Sequence, residues 1–202
     1  MSDKSLAQQL SEGFQELPGV GPRQAQRFVY ALLEKEESFL KNFAALITAL
    51  PGQIKRCEQC FWAFEGRTRL CQFCGDPQRD AHKLLIVERD TDVTNIERAT
   101  GYSGKYFVLG GSVSPTRTDP QKELRLKELY HAVSTRPIGE LILALSATSE
   151  GETTGIYIER IMDKLQKKQQ FRITRLGRGL SSGAELEYSD GDTLKHAFAN
   201  RA

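Results

Sequence analysis

Cys57-Glu58-Gln59-Cys60 and Cys71-Gln72-Phe73-Cys74 carry all four cysteines of the chain, and the apolar run Leu84-Leu85-Ile86-Val87, ending in Glu88, follows them. Four thiolates can close a tetrahedron around zinc at about 2.3 Å each, two from each CxxC turn. Buried reduced cysteines or a redox CxxC are the alternatives, and neither accounts for two equal pairs within 18 residues. A full set of thiolates leaves no open coordination position. The expected metal is therefore one structural zinc per chain, held by Cys57, Cys60, Cys71 and Cys74.

Beyond the cysteines, from His82, apolar runs alternate with helical periods. Residues 84–87, 106–109, 141–145 and 171–174 read as strands, with helices near 91–99, 121–134 and 153–169. Strict alternation predicts a mainly parallel sheet covered on both faces. The tail from Gly177 holds a short strand pattern at 185–188 and a helix near 193–200. Upstream, Leu6, Leu10, Phe14 and Leu17 line one helical face, which Pro18 ends. A second helix starts at Pro22 and carries Ala25, Phe28, Val29, Leu32 and Leu33. A third, with Ser38 as its N-cap, is expected to bury Phe39, Leu40, Phe43, Ala44 and Ile47 and to stop at Pro51-Gly52.

With 202 residues, 39% hydrophobic and 27% charged, the composition is that of a globular protein able to bury a core without disulfides. No apolar run approaches the roughly 20 residues that span a bilayer, and no signal-like segment opens the chain, so a cytoplasmic protein with no membrane partner is expected. Lys and Arg total 28 against 26 Asp and Glu, a formal charge of +2. That excess is too small to announce a nucleic-acid binder, and any polyanion site must be local.

Such a site is offered by Leu17-Pro18-Gly19-Val20-Gly21 between the first two helices. Gly19 and Gly21 permit a sharp turn that leaves N–H groups at the start of the second helix, and Arg23 and Arg27 add charge on the following turns. This arrangement suits a nucleic-acid backbone; an ordinary helix–helix turn fits the same residues. Glu88 after the first strand, and Glu150 and Glu152 after the third, could meet at a sheet edge and hold Mg²⁺, or be solvated loop acids. Gly179-Leu180-Ser181-Ser182-Gly183 satisfies a nucleophile-elbow expression but lacks a following helix, and Gly104-Lys105 is no phosphate-binding loop.

Taken in order, Leu17-Pro18-Gly19-Val20-Gly21-Pro22 with Ala25-Gln26-Arg27, the cysteine quartet, Val87-Glu88, Tyr106-Phe107-Val108-Leu109-Gly110-Gly111 with Ser114-Pro115, Glu150-Gly151-Glu152-Thr153-Thr154, and Glu185-Leu186-Glu187-Tyr188 with Asp190, Thr193 and Leu194 strongly resemble the bacterial recombination mediator family RecR. The resemblance covers nearly the whole chain. It implies a helix-hairpin-helix region over 1–52, a four-cysteine zinc finger over 53–81, a Toprim-type α/β domain over 82–176 and a C-terminal strand and helix over 177–202. It also implies a ring-like homo-tetramer or dimer that surrounds DNA. Its partners would be RecO and RecF, with which it helps load recombinase onto single strands coated by single-strand binding protein. Family members usually continue differently after Ser114-Pro115, where this chain has Thr116-Arg117-Thr118-Asp119-Pro120-Gln121. They also differ before Glu150, where Ser146-Ala147 stands here, and at 179–183.

The reading that follows is a non-catalytic mediator that binds DNA without regard to sequence through Gly19, Gly21, Arg23 and Arg27. Two rivals stand beside it: a Mg²⁺-dependent Toprim nuclease or primase-like enzyme using Glu88, Glu150 and Glu152, and a zinc-stabilised scaffold that binds only proteins.

Overall fold

A computed structural model describes residues 4–113 and 124–201, in two compact units, 1–54 and 55–202. In the first unit, α1 (Leu6–Gln15) begins with a capping box in which the Ser5 hydroxyl accepts from Gln8 N–H and the Gln8 side chain accepts from Ser5 N–H. It packs on α2 (Pro22–Leu33), where Phe14 meets Phe28 edge to face at 5.4 Å and Ala25 and Val29 are buried. The third helix, α3 (Glu37–Gln53), departs from expectation. Its N-cap is Glu36, Ser38 lies inside the first turn, and Pro51 falls inside the last turn rather than ending the helix. None of its residues is buried; Phe39, Phe43, Leu46, Ile47 and Leu50 are exposed. Periodicity set the apolar face, but a face is buried only where something covers it.

Leading into the second unit, β1 (Ile54–Arg56) pairs with β2 (Ala63–Glu65) beside a one-turn helix α4 (Gln72–Gly75). The larger sheet is wholly parallel, in the order β4-β3-β5-β6, from β3 (Asp80–Val87), β4 (Gly104–Val108), β5 (Glu140–Ala144) and β6 (Arg172–Arg175). Helix α5 (Asp90–Thr100) links β3 to β4, α6 (Leu126–Thr135) precedes β5, and α7 (Ser149–Gln169) links β5 to β6. Because β3 leads outward to β4 and the chain then returns to its other side as β5, the strand order reverses at the carboxyl end of β3.

Alternation along β3 divides the core. Leu84 and Ile86 join Leu129 and Val133 of α6 and Ile158 and Met162 of α7. Leu85 and Val87 face the other way, toward Val93 of α5 and the cysteine module, whose Phe73, Cys57, Cys60 and Cys71 share that core. The expected two-sided cover is present, but half of one side is the cysteine module rather than a helix.

Two further expectations are corrected. Residues 185–188 are not a strand: Leu186–Tyr188 is a 3₁₀ turn closed by Tyr188 N–H to the Glu185 carbonyl, because no neighbour offers a ladder. The helix expected from 153 starts at Ser149, since the Thr148 hydroxyl caps it by accepting from Gly151 N–H at 3.2 Å. The last helix, α8 (Gly191–Ala199), is capped by Asp190. The helical pattern near 121–134 is described from α6 onward, and the unusual loop at 116–121 lies outside the described residues, as do Ser114 and Pro115.

Candidate functional site

The four sulfurs of Cys57, Cys60, Cys71 and Cys74 lie within 4.8 Å of one another, with Cys60 Sγ and Cys71 Sγ 3.5 Å apart. A tetrahedron with metal–sulfur bonds of 2.3 Å has edges of about 3.8 Å, so this cage fits a thiolate-bound metal ion. Among the described residues it is the one group of three or more possible ligands that does so. The thiols cannot hold their protons independently. Hydrogen bonding from Cys60, then Cys71 and Cys74, drives Cys57 far below the ordinary thiol value, while its bond to Cys57 pushes Cys60 up.

Backbone contacts fasten this cage to the sheet. β4 is an edge strand, and its Val108 N–H donates to the Cys60 carbonyl at 2.8 Å, blunting an otherwise open edge. Lys105 Nζ donates to the carbonyls of Phe73, Cys74 and Asp76 at 2.9, 3.3 and 2.6 Å, at the end of α4. Asp90 accepts from Ala63 N–H at 2.7 Å and from Arg56 at 3.0 Å. Arg79 stacks on Phe73 and pairs with Glu97 at 2.7 Å, and Glu97 accepts from the Tyr106 hydroxyl at 2.5 Å. The pairings of Arg56 with Asp90, Arg79 with Glu97 and Lys105 with the Asp76 carbonyl are not signalled by local spacing, since each spans at least 18 residues.

At the reversal of strand order, the three acids do not gather. Glu88, 4% exposed, has both oxygens taken: Oε1 accepts from Ser146 N–H at 2.9 Å and Oε2 from the Ser146 hydroxyl at 2.7 Å. Glu152 is held between Arg175, at 2.8 Å, and Arg178. Glu150 is exposed on the first turn of α7. Two of the three carboxylates are thus held by other side chains, and among the described residues the three form no common ligand cluster. Ser146, one of the unusual residues before Glu150, is thus a direct partner of Glu88, and the sequence held no local sign of it.

In the α1–α2 hairpin, Gly19 has φ +80°, a conformation that side-chain-bearing residues rarely adopt, and Gly21 is the N-cap of α2. Pro22 has no N–H, Ala25 N–H returns to the Gly21 carbonyl at 2.9 Å, and no side chain caps the helix. The N–H groups of Arg23 and Gln24 are left without a helix partner. Arg23 and Arg27 are exposed, and neither forms a salt bridge among the described residues.

The family model described as RecR, helix-hairpin-helix matches residues 7–50, and the one described as RecR, C-terminal matches 179–202. A Toprim domain model matches 82–177. The recombination protein RecR of Xylella fastidiosa is 40% identical over 196 residues, covering 97% of this chain and 96% of that protein. This chain belongs to the RecR family. Other RecR relatives include those of Xanthomonas campestris pv. campestris, 38% identical over 198 residues and 98% of each chain, and of Nocardioides sp., 37% identical over 198 residues, 98% of this chain and 96% of that one. A RecR chain accordingly joins a helix-hairpin-helix unit to a four-cysteine module, a Toprim domain with a parallel sheet and a C-terminal segment. Among the described residues, no helix is long and apolar enough to cross a membrane.

Proposed function

We propose that this RecR acts in recombination and DNA repair in the cytoplasm as a non-catalytic mediator that holds DNA by its phosphates. The observation that carries the reading is the hairpin: an uncapped α2 N-terminus behind Gly19 and Gly21, with Arg23 and Arg27 exposed and unpaired beside it. Free N–H groups and the positive end of a helix dipole attract an anion, and contacts to phosphate carry no base information. The cysteine quartet holds one zinc with all four thiolates. Its part is to fix the module that covers one face of the sheet, since a closed shell leaves no position for substrate. Against the enzyme reading, Glu88 and Glu152 are occupied by Ser146 and by two arginines rather than turned to a common ion.

The exposed apolar faces of α3 and of the C-terminal segment, where Leu186, Tyr188 and Phe198 are each at least 66% exposed, support assembly with further copies into a ring. A ring converts weak phosphate contacts into retention by effective concentration. RecO and RecF are the partners the family relation implies.

The test is salt-dependent DNA binding. Affinity should fall along a log–log slope of about −0.7 to −0.9 per phosphate neutralised, with little regard to sequence. The double variant Arg23→Ala/Arg27→Ala should weaken all substrates alike and flatten the slope by about one unit per lost contact. Unchanged DNA affinity in that variant, with metal content and oligomeric state intact, would remove the hairpin as the contact and favour a protein-only scaffold.

A further inference from the structure

Helices α6 and α7 pack side by side on one face of the sheet, burying Leu129, Ala132 and Val133 of the first and Ile158, Met162 and Leu165 of the second in one core. Their outward sides enclose a groove of about 500 Å³ that is lined by none of the four cysteines and none of the three acids. Its floor is apolar, from Leu126 and Ile161, with Tyr130 of α6 standing 42% exposed and Tyr157 of α7 half-buried along it. Its rim is cationic. Lys127 on α6 and Arg160 and Lys164 on α7 all line it and are exposed, and none forms a salt bridge among the described residues. The one acid at the rim, Asp163, is paired with Lys167 at 2.8 Å. Unpaired cations on both walls of an apolar groove state what they complement: anionic groups flanking an apolar stripe.

We infer that this groove docks an acidic amphipathic helix of a partner protein, whose apolar residues at i, i+3, i+4 and i+7 enter between α6 and α7 while its carboxylates meet Lys127, Arg160 and Lys164. Arg160 and Lys164, four residues apart, lie one above the other on α7 and so face one side of such a helix along its length. A nucleic-acid strand fits less well. It would satisfy the cations, but base stacking requires successive exposed aromatic faces, and of the two rings that line the groove Tyr130 is exposed while Tyr157 is half-buried. The groove shares no residue with the proposed DNA contact, so each can fail without the other.

The experiment uses the full-length protein and a fluorescein-labelled synthetic helix of about five turns, with Leu and Phe on one stripe and Glu beside them, read by anisotropy. A scrambled peptide of identical composition controls for charge alone. The designed helix should bind with a Kd on the order of 10–100 μM, weakening with salt, and the scrambled one at least about tenfold less tightly. Arg160→Glu/Lys164→Glu should weaken binding about tenfold or more, Lys127→Glu on the opposite wall about threefold, and Tyr130→Ser about threefold through the apolar contact alone. DNA affinity should stay within about twofold of wild type in all of them. Absence of binding, equal binding of the scrambled peptide, or variants that bind like wild type would overturn the docking site. Loss of DNA affinity in Arg160→Glu/Lys164→Glu together with displacement of the peptide by a single-stranded oligonucleotide would overturn it in favour of a nucleic-acid track.

Discussion

Gly151 and Gly155 lie four residues apart on the same buried side of α7, and replacing each by alanine should have opposite consequences. A Cβ built on Gly151 falls 2.0 Å from the Ser146 carbonyl oxygen, 2.9 Å from its carbon and 3.2 Å from Glu88 Oε1. The obstacle is backbone, so either α7 or the β5–α7 connection must move. Overpacking of this kind costs about 1–3 kcal/mol. Moving Ser146 also strips partners from the buried Glu88 carboxylate, at about 1–3 kcal/mol more. The gain in helix propensity returns at most about 1 kcal/mol, so a net loss of roughly 1–5 kcal/mol, centred near 3, is expected. For a chain of this size the central figure of about 3 kcal/mol lowers Tm by roughly 6–12 °C. At Gly155 the nearest atoms are Arg175 Nη2 at 3.0 Å and Cζ at 3.2 Å, the far end of a flexible side chain. Arg175 can yield by loosening its partly exposed pairs with Glu152 and Glu159, each worth about 0–1 kcal/mol, and helix propensity offsets this. Gly155→Ala should melt within about 3 °C of wild type. Thermal melts of both variants by circular dichroism decide the matter. A Gly151→Ala protein as stable as wild type, or equal losses at the two positions, would refute the packing argument.

Elemental analysis of protein purified without chelator should find one zinc per chain. Cys57→Ser should lower Tm, and metal near zero with four freely titrating thiols would refute the cage. Lys105→Met removes the donor to three carbonyls and should cost about 1.5–3 kcal/mol while hastening metal loss to a chelator; unchanged metal-release kinetics would sever the proposed link between β4 and the cysteine module. Burial works to raise the Glu97 carboxyl, but Arg79 and Tyr106 outweigh it and hold it below its ordinary value of 4.5. A depressed folded-state value means that its contribution is fully present above about pH 4.5 and is lost as pH falls through the folded value. Glu97→Gln should therefore lower stability near neutrality and reduce the acid-side slope of a Tm-against-pH curve; an unchanged slope counts against it. Clean wild-type protein should neither cleave nor extend DNA with Mg²⁺, and cleavage that disappears in Glu88→Gln would overturn the non-catalytic assignment.

The modules were legible in the sequence because their signals are local. Paired CxxC turns bring two thiols together within one turn each, and apolar runs alternating with helical periods allow little besides a parallel sheet with crossovers. Gly19-Val20-Gly21-Pro22 announces its own turn and helix start. What the tertiary structure decided are pairings between side chains far apart in the chain. Ser146 closes on Glu88 because β3 and β5 are parallel neighbours that bring Glu88 and Ser146 to one edge, and Arg175 and Arg178 reach Glu152 because β6 lies beside β5. The same holds for the cysteine module serving as half of one cover of the sheet, and for residues 185–188 closing a 3₁₀ turn where the alternation suggested a strand. Local patterns state what each segment can form and which face it must hide. Which partner hides it, and whether a carboxylate is left free or taken, depends on contacts that exist only once the chain has folded.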